Sequence, residues 1–354
     1  MMKITWEGPV GERSGYGIAS RNYARELAKI ADVRVVSTTG RYPDAEMMQS
    51  SKKKEDGRIH ILHDFPLRPA DVYYTVFEMD QAPTQWGKML GQAKMIFTPS
   101  EHSKMALQTV VPDPYGDDRI KIVHHGVDLD EFKPEGDKVD FYPSKGCKQS
   151  SEWIAKSYKF LYVSEWIERK RVQDLIKTFC LTFAPSDPVC LLLKVHSNNF
   201  PVKRLIRENM IEGANVWLLG GRYESLAPVY RSVDCYVSTA ACEGWGETLS
   251  EAMACGRPTI AGEVGGNTQF MTHGNSLLVP TRGEQQIGHN SLEPTIEPWF
   301  HYWPLDLNVL SETMNYVFHN RKEAEDLAAI GTRDIRTFTW AKAAAEMLKY
   351  LEEL

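Results

Sequence analysis

The sequence contains no run of about 18 consecutive apolar residues, the length that a helix needs to cross a bilayer. The first residues also lack the apolar core of a signal peptide, so we expect a cytoplasmic protein. A basic excess is missing as well, since 41 lysines and arginines stand against 47 acidic residues and the net charge is −6. This balance argues against a general nucleic-acid binder, because such proteins usually carry a basic excess.

Cysteine is sparse, and no C-x-x-C pair occurs. The six cysteines are scattered, and several fall inside apolar or helical runs. This distribution favours buried free thiols in a reducing compartment and argues against a zinc site. The cysteines are Cys147, Cys180, Cys190, Cys235, Cys242 and Cys255.

Two domains are expected from a chain of 354 residues, which is too long for one ordinary hydrophobic core. Apolar runs typical of buried strands alternate with helical patterns along the chain, which predicts parallel sheets in two doubly wound α/β domains. The polar, weakly patterned residues 136–153 are the predicted linker. We therefore place one domain at residues 1–150 and the second at residues 151–339.

The stretch Ala241–Pro280 carries the strongest local pattern in the chain. A predicted buried strand, Val233–Ser238, is followed by a glycine-spaced loop, a helix that begins near Thr248, and a second strand. Such units bind ligands beyond the carboxyl ends of their strands. Two acids are predicted on that side, with Glu243 in the loop and Glu251 in the first helical turn.

Gly15, Tyr16 and Gly17 lie between a short predicted strand, Met2–Trp6, and a helix that begins near Ile18. The glycines do not match the G-x-G-x-x-G pattern of dinucleotide-binding folds. The loop is consistent with a site beside a ligand's phosphate or sugar, and equally with a flexible turn that needs a positive φ.

Acids also follow the predicted strand Asp71–Phe77, at Glu78 and Asp80. Because the carboxyl ends of such strands face the ligand, either acid is a candidate for substrate contact. For Asp80, a helix-capping role is an equally good explanation. The adjacent His124 and His125 suggest a metal, but no third ligand stands at a recognisable spacing, which favours a structural turn.

Basic residues dominate the loop between the predicted strand Lys159–Val163 and the helix that follows it. Arg169 and Lys170 stand just before that helix, where cations can meet a phosphate. The alternative is a solvated basic face in a run that also includes Arg171.

The sequence allows two interpretations for each of two further stretches. Lys52–Lys54 is either a solvated loop or a contact with an anionic surface. The aromatic run Trp299–Trp303, within the irregular residues 284–303, either binds a partner or sugar face or covers the edge of a core.

Together these segments resemble the retaining glycosyltransferases of family 4, which have the GT-B fold of two Rossmann-like domains facing a central cleft. The most specific match is EGWGETLSEAMACG at residues 243–256, which follows the family's E-x7-E signature and its E-A-M-A-x-G helix. Other matching motifs are spread over most of the chain. They are Phe97–Ser103, His125–Asp128 with Phe132 and Pro134, Lys170, Gly265-Gly266 and Phe338–Trp340.

The resemblance implies a metal-independent, retaining hexosyltransferase without a cofactor. It would move a sugar from a UDP- or GDP-sugar to a sugar or lipid-linked acceptor, closing its two domains around the nucleotide sugar. It implies that residues 1–150 bind the acceptor and are completed by the C-terminal helix, about residues 340–354. Residues 151–339 would bind the donor. With a lipid-linked acceptor, the resemblance also implies a peripheral contact with the inner membrane face.

The resemblance also assigns site residues. Glu243 contacts the donor sugar. Glu251 binds the ribose hydroxyls, unless it instead caps the backbone N–H of Thr248 in a T-x-x-E capping box. The predicted catalytic group is Glu243, Lys170 and Glu78, of which Glu78 lies where the family often has a histidine that this chain does not match. The donor-binding group is Arg169, Lys170, Glu243, Gly244, Trp245, Gly246, Thr248, Glu251, Gly220 and Gly221. Gly15, Tyr16 and Gly17 form an acceptor or phosphate loop, and no metal ligand is predicted.

The chain departs from the family at the phosphate loop. Where the family reads G-R-x4-K-G, this chain has Ser164, Glu165, Lys170 and Arg171. The usual arginine is therefore missing, and either Arg169 or Arg171 supplies its charge. An inactive sugar-nucleotide-binding scaffold remains an alternative for this reason, and another GT-B enzyme, such as a sugar-nucleotide epimerase, is a second one.

Overall fold

The computed structural model describes residues 1–51, 57–111, 118–142, 150–196, 201–221, 223–287 and 299–354. They form two compact units, one made of Met1–Asp128 with Phe338–Leu354 and the other of Leu129–Thr337. The Lys52–Lys54 stretch, Cys147 and residues 288–298 of the irregular stretch lie outside the described residues.

The first unit is built on a six-stranded parallel sheet in the order β2-β1-β3-β4-β5-β6. Its strands are β1 Lys3–Gly8, β2 Asp32–Ser37, β3 Ile59–His63, β4 Val72–Tyr74, β5 Met95–Thr98 and β6 Ile120–Ile122. Its helices before residue 128 are α1 Gly15–Ile30, α2 Ala45–Ser50, α3 Gly87–Gln92 and α4 Glu101–Gln108. The large rings of Trp6, Tyr23 and Tyr74 are fully buried in its core, where the two tyrosine hydroxyls donate to the carbonyl oxygen of Val123.

The second unit repeats this architecture with a parallel sheet in the order β12-β11-β10-β7-β8-β9. These strands are β7 Tyr158–Glu165, β8 Val189–His196, β9 Val216–Leu218, β10 Cys235–Val237, β11 Thr259–Gly262 and β12 Leu277–Val279. A small antiparallel pair follows, β13 Gln285–Gln286 with β14 His301–Tyr302. The helices are α5 Ser151–Lys156, α6 Val172–Thr182, α7 Val202–Asn209, α8 Ala227–Arg231, α9 Glu247–Ala254, α10 Leu307–His319 and α11 Arg321–Ile335. The predicted pair of parallel α/β units is confirmed.

The last helix, α12 Trp340–Leu351, belongs to the first unit. The indole of Trp340 packs edge-on against the ring of Tyr23, with 5.0 Å between the ring centroids. Gly126 lies so close to the start of this helix that a Cβ there would overlap the backbone nitrogen of Trp340. A glycine is therefore required where the chain passes under α12.

The division between the units falls at Asp128 and Leu129, whereas the sequence pattern predicted a boundary at residue 150. The guanidinium of Arg231 explains the difference. It donates to the carbonyl oxygens of Glu131, Lys133 and Asp137, and so attaches this irregular segment to the second unit. Polar composition indicated a linker here, but it does not show that backbone carbonyls are bound by a distant arginine.

Each sheet reverses its winding direction once. In the second unit the chain runs from β7 through β8 to β9 on one side, and then continues at β10 on the other side of β7. The loops after β7 and β10 therefore leave neighbouring strands at the switch point, where open α/β sheets bind ligands. Across the described parts of the chain, no helix is long and apolar enough to cross a membrane.

Candidate functional site

The two switch-point loops of the second unit meet through three charged side chains. The ammonium of Lys170 lies 2.5 Å from Oε1 of Glu243, and the guanidinium of Arg169 lies 3.6 Å from Oε2 of the same carboxylate. The three side chains are only 12–15% exposed, so their charges act in a partly desolvated environment. The structure thus brings together three of the predicted site residues, in a cluster with two positive charges and one negative charge.

The backbone of the Lys170 loop is fixed by hydrogen bonds to its carbonyl oxygens. The hydroxyls of Tyr162 and Thr239 both donate to the carbonyl of Lys170, at 2.8 and 3.1 Å, and the N–H of Ala241 donates to that of Arg169 at 2.8 Å. Tyr162 and Thr239 were not identified as site residues from the sequence. One signal was present, because a tyrosine in a buried strand needs a partner for its hydroxyl.

The Glu243 loop rests on the glycine pair that follows β11. The N–H of Gly266 donates to the carbonyl oxygen of Glu243 at 2.6 Å. A Cβ on Gly266 would overlap the carbonyl group of Gly244, so the two loops are in direct backbone contact. Gly246 has a φ of +101°, a conformation that favours glycine over residues with a side chain.

Trp245 was assigned to donor binding, but its side chain is only 2% exposed. The indole packs against the ring of Phe270, with 4.9 Å between the centroids. In this structure Trp245 anchors the loop in the core, while the side chain of Glu243, two residues earlier, stays 12% exposed at the switch point.

Helix α9 begins at Glu247 with Gly246 as its N-cap, so the capping box between Thr248 and Glu251 is wrong. The positive φ of Gly246 starts the helix earlier and places Thr248 within its first turn, half-buried. Oε2 of the Glu251 carboxyl group instead accepts a hydrogen bond of 2.9 Å from the hydroxyl of Tyr230 on α8. Tyr230 was not identified from the sequence, because it lies 21 positions away and belongs to a different element.

Burial dominates the chemistry of Glu251, which is 9% exposed. Desolvation raises the pKa of its carboxyl from 4.5 to about 8, and the negative charge of Glu247 adds to the increase. The hydrogen bond from Tyr230 acts in the opposite direction and is outweighed. At neutral pH Glu251 is therefore mostly protonated, and can donate as well as accept a hydrogen bond.

We expect Glu251→Gln to remove a pH-dependent loss of stability. The folded carboxyl stays protonated between pH 4.5 and about pH 8, while the unfolded one ionises, so wild-type stability falls as pH rises through this window. The slope from this group is at most about 1.4 kcal/mol per pH unit. Glutamine does not titrate, so denaturant unfolding of both proteins should show E251Q gaining on the wild type toward about pH 8. A stability difference that stays constant from about pH 5 to about pH 8.5 contradicts the raised pKa.

Arg171 does not join the cluster around Glu243. Its guanidinium forms ion pairs with Glu168 and Asp174, at 2.6 and 2.9 Å, and donates to the hydroxyl of Tyr302 at 3.1 Å. Of the two arginines proposed to replace the family's phosphate-binding arginine, the geometry therefore favours Arg169. Arg171 also adopts a left-handed conformation, with φ 49° and ψ 37°, which costs a non-glycine residue about 1–2 kcal/mol.

The predicted pair Gly220 and Gly221 lies beyond the carboxyl end of β9, the edge strand two positions from β7. Gly221 has a φ of +79°, and its carbonyl oxygen accepts a hydrogen bond of 2.8 Å from the ammonium of Lys194. The pair is thus at the carboxyl end of the sheet, where Gly221 contacts Lys194.

Gly15, Tyr16 and Gly17 form the first turn of α1, beside the switch point between β1 and β3 in the first unit. The side chain of Ser14 caps the helix by accepting from the N–H of Gly17. The hydroxyl of Tyr16 both donates to the carbonyl of Val76 and accepts from its N–H, each at 2.9 Å. This tyrosine connects the loop after β1 to the loop after β4.

Glu78 lies in that loop after β4, with a partly buried side chain. Its carbonyl oxygen accepts a hydrogen bond of 2.6 Å from Nε2 of His102, at the start of α4. Its backbone is therefore fixed at the carboxyl end of the sheet, and its catalytic role stays a prediction.

The His124-His125 pair has a structural environment. Nδ1 of His124 donates to the carbonyl of Pro99 at 2.8 Å, and the buried ring of His125 stacks on Tyr74. Burial lowers the pKa of His125 to about 3, so this ring is neutral. Among the described residues, no group of three or more His, Cys, Asp or Glu side chains could hold a metal ion.

Comparison with known proteins gives matches of two kinds. The family model described as "Glycosyl transferases group 1" matches residues 147–290, less than half of the chain. N-acetyl-alpha-D-glucosaminyl L-malate synthase of Bacillus anthracis is 30% identical over 124 residues, which is 35% of this chain and 32% of that protein. The chain thus spans about a third of the length of this curated relative.

Similar solved structures extend over the whole chain. Anabaena Alr3699/HepE in complex with UDP and glucose gives a TM-score of 0.69 at 14% identity, covering 100% of both chains. Sucrose-phosphate synthase (tll1590) of Thermosynechococcus elongatus gives 0.70 at 16% identity, covering 100% of this chain and 99% of that one. At such low identity these matches show the fold alone. The fold is GT-B, and the sequence matches support the predicted resemblance to GT-B glycosyltransferases.

Proposed function

We propose that the chain is a retaining, metal-independent glycosyltransferase that moves a hexose from a nucleoside diphosphate sugar to a sugar or lipid-linked acceptor. The observation that carries this proposal is the meeting of Lys170, Arg169 and Glu243 at the switch point of the second unit. A UDP-sugar is the first donor to test, because a protein with this fold, Anabaena Alr3699/HepE, has been solved in complex with UDP and glucose.

The chemistry of the cluster suits departure of a diphosphate. When the bond between the anomeric carbon and the phosphate breaks, negative charge develops on the leaving oxygen, and cations already fixed nearby stabilise it. The ammonium of Lys170 and the guanidinium of Arg169 supply that charge without a metal ion or other cofactor. Glu243 holds both cations in place before the donor arrives and accepts hydrogen bonds from the donor sugar afterwards.

The environment of Glu251 supports its proposed role at the ribose. A mostly protonated carboxyl can accept from one ribose hydroxyl and donate to the next. Retention of configuration follows if the acceptor attacks from the face that the diphosphate leaves, without an enzyme nucleophile. The relative that is 30% identical is named for an α-glucosaminyl product, which is consistent with a retaining reaction on an α-linked donor.

The roles of Glu78 and of Gly15, Tyr16 and Gly17 on the acceptor side remain proposals, as does a peripheral contact with the inner face of a membrane when the acceptor is lipid-linked. The donor chemistry described above needs none of these acceptor-side features. The donor site can therefore be tested before an acceptor is known.

We expect UDP or GDP to bind the purified chain in a calorimeter with a chelator present, and a matching nucleotide sugar to be hydrolysed or transferred under the same conditions. Nuclear magnetic resonance of the first-formed product should show the anomeric configuration of the donor retained. An adenine nucleotide is the matched control ligand. No binding of either nucleoside diphosphate contradicts the proposal, binding without turnover favours a scaffold, and an epimerised nucleotide sugar without acceptor indicates an epimerase.

A further inference from the structure

The turn Glu168–Arg171 has an unusual residue at its last position. Arg171 ends the turn and begins α6 in the left-handed region, and it is the one non-glycine residue with positive φ in the described ranges. Glycine adopts this conformation freely, whereas a Cβ disfavours it. An arginine at this position therefore indicates that its side chain makes contacts that compensate for the backbone conformation.

Those contacts form a closed set around the guanidinium, which is 15% exposed. Nη1 lies 2.6 Å from Oε1 of Glu168, Nε and Nη2 each lie 2.9 Å from Oδ2 of Asp174, and Nη1 lies 3.1 Å from the hydroxyl of Tyr302. The hydroxyl of Tyr302 also donates to Oε1 of Glu168, at 3.3 Å. Arg171, Glu168 and Tyr302 are thus joined pairwise, and we call these three residues with Asp174 the Arg171 clamp.

The clamp holds both ends of a turn whose middle residues are Arg169 and Lys170. Because Glu168 and Arg171 are bound to each other and to Tyr302, the side chains between them are left to face Glu243, which they contact. The adjacent basic residues therefore differ in their contacts. Arg171 holds the turn, whereas Arg169 and Lys170 face Glu243, where a diphosphate would bind.

Tyr302 brings a distant part of the chain to this turn. It belongs to β14, and the next residue, Trp303, donates its backbone N–H to the carbonyl of Ala241 at 2.9 Å. Ala241 in turn donates to the carbonyl of Arg169. The aromatic run therefore contacts both switch-point loops, which gives it a role that the sequence left open.

We propose that Arg171 and Tyr302 are positioning residues, which hold the Glu168–Arg171 turn so that Lys170 and Arg169 are presented together to the diphosphate of the donor. This inference rests on the proposed nucleotide-sugar transfer. It assigns neither residue to contact with the substrate.

The test compares R171A, Y302F and the double variant by calorimetry with UDP and by donor kinetics. We expect UDP to bind about tenfold more weakly to R171A and about threefold more weakly to Y302F. In the double variant the combined loss should be smaller than the product of the two single losses, because Arg171 and Tyr302 both hold Glu168 and each other. The KM for the donor should rise more than kcat falls, and the unfolding midpoints should remain above the assay temperature.

Two further variants sharpen the outcome. Tyr316→Phe is the matched control, since it also removes a tyrosine–glutamate hydrogen bond, here to Glu323 on the surface of α10 and α11. Arg171→Lys keeps the charge but loses the planar fork that joins Glu168, Asp174 and Tyr302. Full UDP affinity in R171K, unchanged affinity in Y302F, or losses that simply multiply in the double variant overturn the proposal. A wild type that binds no nucleoside diphosphate overturns the proposed function instead.

Discussion

Replacing Lys170 with alanine is expected to lower sugar transfer by about 10²–10³, the usual effect of removing one fixed group that stabilises charge in a transition state. The ammonium is the cation closest to Glu243, at 2.5 Å, while the guanidinium of Arg169 stands 3.6 Å away. In the variant, one cation must both neutralise Glu243 and meet the leaving diphosphate. Because charge grows on the diphosphate as the bond breaks, kcat should fall more than the affinity for the intact donor.

The measurement is steady-state transfer with a matching nucleotide sugar, accompanied by UDP calorimetry and thermal unfolding. Lys177→Ala is the matched control, because that lysine is exposed on α6 and its removal changes the net charge equally. Transfer by K170A within a few-fold of K177A would place the phosphate-binding role elsewhere. A fold-wide loss of structure is not expected, since Lys170 is bound through its carbonyl, which alanine retains.

The sequence predicted the two loops but not their contact. Both loops follow apolar runs, and parallel strands end at one edge, so Lys170 and Glu243 could be assigned to the same side of the sheet. That β7 and β10 are neighbours depends on the strand order, which reverses after β9. Periodicity identifies strands one by one and does not order them, so the ion pair between the loops required the structure.

Local rules failed where a distant residue or a special backbone conformation decided the outcome. The T-x-x-E pattern at Thr248 and Glu251 predicted a capping box. Instead, α9 begins earlier, after Gly246 with its positive φ, and the carboxyl group of Glu251 accepts a hydrogen bond from Tyr230. Arg171 had the same local chemistry as Arg169, and only the structure shows that Tyr302 binds it. In each case the deciding contact joins residues far apart in the chain.

The aromatic run illustrates the limit of patterns in short elements. Residues 284–303 appeared irregular, yet their described part contains the strand pair β13 and β14. Strands of two residues show no alternation that a sequence can display. The core position of Phe300 and the polar contacts of Tyr302 therefore emerged only from the fold.

Replacing Gly266 with alanine is expected to cost about 3 kcal/mol of folding free energy, the upper end for forcing extra atoms into a packed site. The added Cβ would overlap the carbonyl of Gly244 and stand 2.8 Å from the nitrogen of Trp245. These are backbone atoms, so no flexible side chain can move aside. The Glu243 loop must shift instead, and a displacement of about 1 Å near the reacting groups can lower the rate about 100-fold.

Gly274→Ala provides the control for this variant, because that glycine is exposed in the same segment and its Cβ would meet only the Thr272 hydroxyl, at an ordinary 3.6 Å. We expect G266A to unfold at a lower denaturant concentration than G274A and to transfer sugar more slowly. If G266A unfolds at the same denaturant concentration as G274A, the backbone contact between the loops is not tight. If G266A is destabilised but its folded fraction transfers sugar at the wild-type rate, the position of Glu243 does not depend on the glycine pair.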